Sequence, residues 1–212
     1  MTALKNEAIS PELKQKLARS GRLFDAHAPE RMEVKHTAHR LCQQYNSLDE
    51  WDEQRPEILR RLLGKCGRQV AMQGPIQFNY GCNTEIGDSF FANFHFTVLD
   101  DAPVTIGSHV MIGPNVSIMA SSHPLLYDQR EALTYPDGHV SMSEYADPIQ
   151  IGNHVWIACG VIVCGGVTIG DGAVIGAGSV VTRDIPAGWL ACGVPCKPIR
   201  PITENDSCLS LL

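Results

Sequence analysis

The 212-residue chain has no uninterrupted apolar run near the ~18 residues that a membrane-spanning helix needs. Its opening, MTALKNEAISPELKQ, has no apolar stretch behind a basic start, so no secretory leader is expected. Its eight cysteines (42, 66, 82, 159, 164, 192, 196 and 208) include no CxxC pair. That argues against zinc ribbons and dithiol redox motifs and points to reduced thiols in a cytoplasmic protein. No block of like charge is present, and 17 Lys and Arg face 23 Asp and Glu, a formal net charge of −6. Phosphate backbones attract basic faces, so nucleic acid is not an expected partner, and neither is a membrane.

What is present is enough apolar material for a core, at 44% of residues, in a chain sized for one domain with an appendage. The first third reads as helical. Ser47 and Glu50 have capping-box spacing, and Ile58, Leu59, Leu62 and Leu63 follow at helical intervals, stopped by Gly64 and Gly67. A second helix is expected over Met32 to Tyr45, and a shorter one from Ser10, with Pro11 in its first turn.

From about Ile76 a period of six takes over. Ile151, Ile157, Val163, Ile169, Ile175 and Val181 lead successive hexads. A second series, Val155, Val161, Val167, Ala173, Ser179 and Ile185, follows four residues behind, and Ile106, Ile112 and Ile118 keep the beat upstream. An amphipathic helix would space apolar groups three and four apart, and no single strand is this long. Short repeats that cannot bury a face alone must stack. The expected fold is mainly β, a triangular parallel β-helix in which three hexads close one coil. Residues eighteen apart then stack: Ile151 on Ile169, Ile157 on Ile175, Val163 on Val181. The expected divisions are a helical front (1–67), the coil (68–200) with an extruded loop (121–148), and a tail (201–212).

The beat stops between Ile118 and Ile151, where Pro124, Pro136, Asp137, Gly138 and Pro148 supply turns. So long an interruption in a compact domain is usually functional or disordered. His123 stands at its root, in the sequence ASSHPLLYDQR (residues 120–130). Histidine is the side chain suited to take a proton near neutral pH, and a rigid coil edge can hold it still.

Several stretches resemble the hexapeptide-repeat acyltransferases, specifically the maltose/galactoside O-acetyltransferase family. They are YGCNTEIG (80–87), FANFHFTVLDD (91–101), IGPNV (112–116), SHPLLYDQR (122–130), EYADPIQIG (144–152), IGAGSVVTRDIP (175–186) and GVPCKPIR (193–200). The resemblance implies a left-handed coil, a sugar acetyltransferase type of helical front, and transfer of an acetyl group from acetyl-CoA to a sugar hydroxyl without a covalent acyl-enzyme. It implies His123 as general base and Asn93 as a catalytic and acceptor-binding residue. Asp101 and Asn79 join the acceptor side; at the latter position the family often has serine or aspartate. The family's acidic acceptor contact near the N-terminus falls on Ala26, beside Asp25, and is not carried over. Cys159, Ala177, Thr182, Arg183, Lys197 and Arg200 fall on the coenzyme A path. No metal is expected. A homotrimer with sites between subunits is implied, and Trp156 is expected at the site wall or between packed surfaces. His109 and His154 are expected to be solvated.

The same coil type also carries serine acetyltransferases and γ-type carbonic anhydrases. The helical front is unlike the former, and the chain lacks the two histidines five apart that the latter's three-histidine zinc site uses after its first ligand. A non-sugar hydroxyl acceptor such as serine, or a non-catalytic binding protein, is the alternative.

Overall fold

The computed structural model describes residues 24–134 and 137–209; the helix expected from Ser10 lies outside them. Two helices precede the coil, α1 (Pro29–Ser47) and α2 (Arg55–Leu62). The expected capping box is not formed. Ser47 is the last residue of α1, and its hydroxyl donates back to the Gln44 carbonyl. Pro56, with its preset φ, marks the first turn of α2 instead, and aspartates 49 and 52 hold the intervening turns through the amides of Trp51 and Gln54.

From Lys65 the chain winds through short parallel strands that form three faces. The first face stacks Lys65–Cys66, Thr84–Ile86, Val104–Ile106, Ile149–Ile151 and Thr168–Ile169. The second stacks Val70–Met72, Phe90–Ala92, Met111–Ile112, Trp156–Ile157, Val174–Ile175 and Trp189–Cys192. The third stacks Ile76–Phe78, Phe96–Leu99, Ser117–Met119, Ile162–Cys164 and Val180–Val181. The expected partners pair in register: Ile151 with Ile169, Ile157 with Ile175, Val163 with Val181. Both hexad series are buried throughout, as a narrow interior lined by β-branched side chains requires.

The open lower end of the coil is closed by the helices. α1 buries Val34, Ala38, Leu41, Cys42 and Tyr45, one stripe of a helix. Its end also satisfies edge backbone groups that would otherwise invite another strand. Tyr45 donates to the Met72 carbonyl at 2.6 Å, Asn46 takes the Ile76 amide and donates to its carbonyl, and Arg55 donates to Met72 and Gln73.

The outward residues differ by face. On the first they are polar: Lys65, Glu85, Thr105, Gln150 and Thr168. On the second they are apolar: Ala71, Phe91, Met111, Trp156, Val174 and Leu190. Met111 is 56% and Trp156 50% exposed.

Stability should follow the inward column. Ile157→Ala is expected to cost ~2–5 kcal/mol in urea unfolding, whereas Gln150→Ala, pointing outward nearby, should stay within ~0.5 kcal/mol. Equal losses would contradict this core assignment.

Candidate active site

The described parts of the expected loop form paired strands. Ser121–Ser122 leaves the third face and pairs antiparallel with the returning strand Ser143–Ala146. The other edge of that strand pairs with Phe24–Asp25, so the segment before α1 is tied to the insertion. A hairpin between Leu133–Thr134 and Val140–Ser141 forms the outer part.

This register places His123 one pair beyond Ser122, across from Glu144. The imidazole Nε2 lies 3.9 Å from Glu144 Oε1; the ring is half exposed and the carboxylate largely covered. Burial raises the Glu144 pKa, aided by the charge of Asp101, while His123, Lys35 and His27 pull it down.

Asn79 and Asp101 meet at the same corner. Asn79 Nδ2 donates to both carboxylate oxygens of Asp101, at 3.0 and 2.9 Å. Asp100, the other carboxylate of VLDD, is structural. It accepts from the Tyr80 amide and the Thr84 hydroxyl, and burial pushes its pKa up to about 6. A groove of about 420 Å³ between α1 and the third face opens beside Asn79 and is lined by His39, Gln43, Asn46 and Thr97. Burial and the Lys35 charge hold His39 below the usual histidine range.

Asn93 is not part of this corner. It follows a second-face strand, whereas His123 follows a third-face strand, so the two stand at opposite edges of the third face. The Asn93 side chain accepts from the Phe94 amide and shapes its own corner. Cys159 and Ala177 stack on that same edge, joined by the Gly178 amide donating to the Cys159 carbonyl. Gly113 keeps the coils close there: a methyl group would stand 2.7 Å from the Cys159 amide nitrogen.

The remaining expected coenzyme contacts divide. Thr182 and Arg183 are exposed on the His123 edge, just past Val181. Lys197 and Arg200 lie on Lys197–Pro201, which pairs with Trp189–Cys192 of the second face. Arg200 is engaged by Asp206 in a two-pronged ion pair at 2.6 and 2.8 Å, leaving Lys197 as the exposed basic group of that strand with no such fork.

His109 and His154 are exposed, but their rings stack on each other 4.8 Å apart. Ala26 is buried and Asp25 serves another purpose. His139 Nε2 lies 2.5 Å from Asp25 Oδ2 and its Nδ1 2.5 Å from Asp137 Oδ1, while His27 Nδ1 and amide both meet the Ser141 hydroxyl. Among the described residues no group of three or more His, Cys, Asp or Glu side chains could hold a metal ion. Nor is any described helix long and apolar enough to cross a membrane.

Sequence reasoning missed Glu144 and the His139 clamp. Both depend on antiparallel pairing within the insertion and with the segment before α1, for which no periodic signal exists.

Comparison with known proteins identifies the family. Residues 18–67 match the maltose acetyltransferase hexapeptide capping motif, and residues 148–183 match the bacterial transferase hexapeptide repeats. A putative acetyltransferase of Saccharomyces cerevisiae is 41% identical over 189 residues, 88% of this chain and 92% of its own length. The galactoside O-acetyltransferase of Escherichia coli is 39% identical over 154 residues, 73% of this chain and 71% of its own. The chain belongs to the maltose/galactoside O-acetyltransferase family. A solved galactoside acetyltransferase in complex with coenzyme A shares the fold at a TM-score of 0.82 and 38% identity, covering 91% of this chain and 92% of that one. The coil is therefore the left-handed hexapeptide β-helix of these acetyltransferases, and the helical front is their capping unit.

The clamp predicts a pH dependence for the insertion. Hydrogen bonds to Asp25 and then Asp137 raise the His139 pKa above its ordinary 6.5. Burial would lift the Asp25 pKa, but hydrogen bonds from Ser141, His139 and the His27 amide lower it overall; His139 lowers that of Asp137. A raised histidine contributes fully below its unfolded value and loses that contribution as pH rises through its folded one. The lowered aspartates contribute above their ordinary 3.8 and fail as pH falls through their depressed values. Between those limits the clamp is closed. Hydrogen exchange across residues 139–146, corrected for intrinsic rates, should accelerate as pH rises past the His139 transition. His139→Gln should be fast throughout; a pH-independent wild type would contradict the clamp.

Proposed function

We propose that this family member moves the acetyl group of acetyl-CoA to a hydroxyl of a maltose-, glucose- or galactoside-like sugar, with His123 as general base. The observation that carries the reading is the corner itself. An imidazole at the root of the insertion shares an edge with Asn79 and Asp101, beside a groove of small-ligand size. Carboxylate and amide groups are what sugar hydroxyls bind.

In this reading the acceptor O–H gives its proton to the imidazole as its oxygen bonds to the thioester carbonyl carbon. Charge grows on the thioester oxygen and needs donors, a role suited to Asn93 and to backbone amides such as that of Cys159. When the carbon–sulfur bond breaks, the imidazolium returns the proton to the departing thiolate. Ala177, with its small side chain, suits passage of the pantetheine arm, and Thr182, Arg183, Lys197 and Arg200 supply polar and cationic partners for the coenzyme's phosphates. Arg200 must share its guanidinium with Asp206 to do so.

Because Asn93 and Cys159 occupy one edge of the third face and His123 the other, a complete site needs an edge from a second copy. The apolar second face, bordered by Asn93, suits burial against that copy. Closed rotational symmetry then favours a homotrimer, with coenzyme and acceptor held between subunits. Eight free cysteines fit a reducing, cytoplasmic setting.

The test is thiol release from acetyl-CoA across a sugar panel, wild type beside His123→Ala. A sugar should drive release, and the variant should lose ~10²–10⁴ in kcat. A fully active variant would overturn the base assignment; absence of release with every hydroxyl compound would overturn the acceptor class.

A further inference from the structure

The returning strand of the insertion carries a carboxylate that this mechanism does not use. Glu144 lies on the central strand of the small sheet, paired with Phe24 on one side and one step from the Ser122–Tyr145 pair on the other. Its strand is thus held from both edges, and its side chain is 17% exposed. The 3.9 Å gap to His123 Nε2 is an ion-pair distance and too long for a hydrogen bond.

The other carboxylates nearby are committed elsewhere. Asp101 accepts from Asn79, while Asp25 and Asp137 hold His139. The groups facing Glu144 come from several elements: Asp101 and the buried Tyr80 of the coil, Lys35 of α1, His27 before α1, and His123. Arg31 of α1 flanks Tyr80.

We infer that Glu144 is a positioning residue for His123, holding the imidazolium and offsetting the charge that the ring acquires with the acceptor proton. This rests on the reading of His123 as base. At 3.9 Å a carboxylate has little hold on a neutral imidazole and a strong one on an imidazolium. The interaction is therefore weak in the resting site and strong as the proton moves, the condition under which a contact accelerates chemistry instead of tightening ground-state binding. The covered carboxylate lessens screening by water, and the half-exposed ring leaves part of it in place.

The test is steady-state kinetics across pH for wild type, Glu144→Gln, Glu144→Asp and His123→Ala, using acetyl-CoA and a sugar active with wild type. Glu144→Gln should lower kcat about 10- to 100-fold with little change in the acetyl-CoA KM. The acid limb of kcat/KM should move to lower pH, because the imidazolium loses its counter-charge. Glu144→Asp should recover part of both effects. If the Gln variant keeps wild-type kcat and acid limb and changes only acceptor KM, while His123→Ala is inactive, Glu144 is an acceptor contact and this inference alone falls. If His123→Ala is fully active, the base reading falls and takes this inference with it. Thermal melts accompany each variant. Should Glu144→Gln be unfolded at assay temperature, the Asp variant decides: a reduced kcat with a shifted limb supports the inference, and an unshifted limb overturns it.

Discussion

The narrow triangular interior governs the rest of this molecule. Each side of each coil has room for only about two inward side chains, so the chain must return to the same register at every turn. The pairing of Ile151 with Ile169 and of Val163 with Val181 is this constraint at work. So is the pairing of Ile118 with Val163, which spans the whole insertion without losing register. A coil that tight cannot bend inward to build a pocket. Its chemistry has to be carried at corners and on what the corners extrude.

That limit explains the arrangement of polar groups. One edge of the third face carries Asn79, Asp101 and the His123 root; the opposite edge carries Asn93, Cys159 and Ala177. A strand of about four residues separates the two edges, roughly 13 Å, and the stacked coils hold that spacing fixed. In the proposed mechanism an edge of another copy closes the gap. The helices and Phe24–Asp25 have a complementary task. They seal the lower end of the coil and brace the insertion, so that the imidazole stands on a supported sheet instead of a free loop.

Much of this was legible in the sequence because period and phase are one-dimensional signals. The inward column, the coil count between partners and the break at His123 all follow from spacing. Phase also contained the separation of Asn93 from His123, since one follows a second-face hexad and the other a third-face hexad; residue identity alone does not reveal it. What spacing cannot express is pairing between distant segments. Glu144 opposite His123, and His139 between Asp25 and Asp137, exist only because strands of the insertion run antiparallel to each other and to the segment before α1. The capping-box expectation at Ser47 failed for a local reason: two aspartate-held turns and Pro56 delay the second helix, so the serine closes one helix instead of opening the next.

The central claim is that one acetyl-transfer site is assembled from two copies of the chain. Mixing His123→Ala and Asn93→Ala subunits tests it most directly. Each variant alone should be nearly inactive. Subunits unfolded, mixed and reassembled together should regain activity, because a His123→Ala copy supplies Asn93 to a neighbour that supplies His123. Random assembly should restore about a quarter of the sites. If the mixture is no more active than its two components, the site lies within a single chain and the shared-site account is wrong.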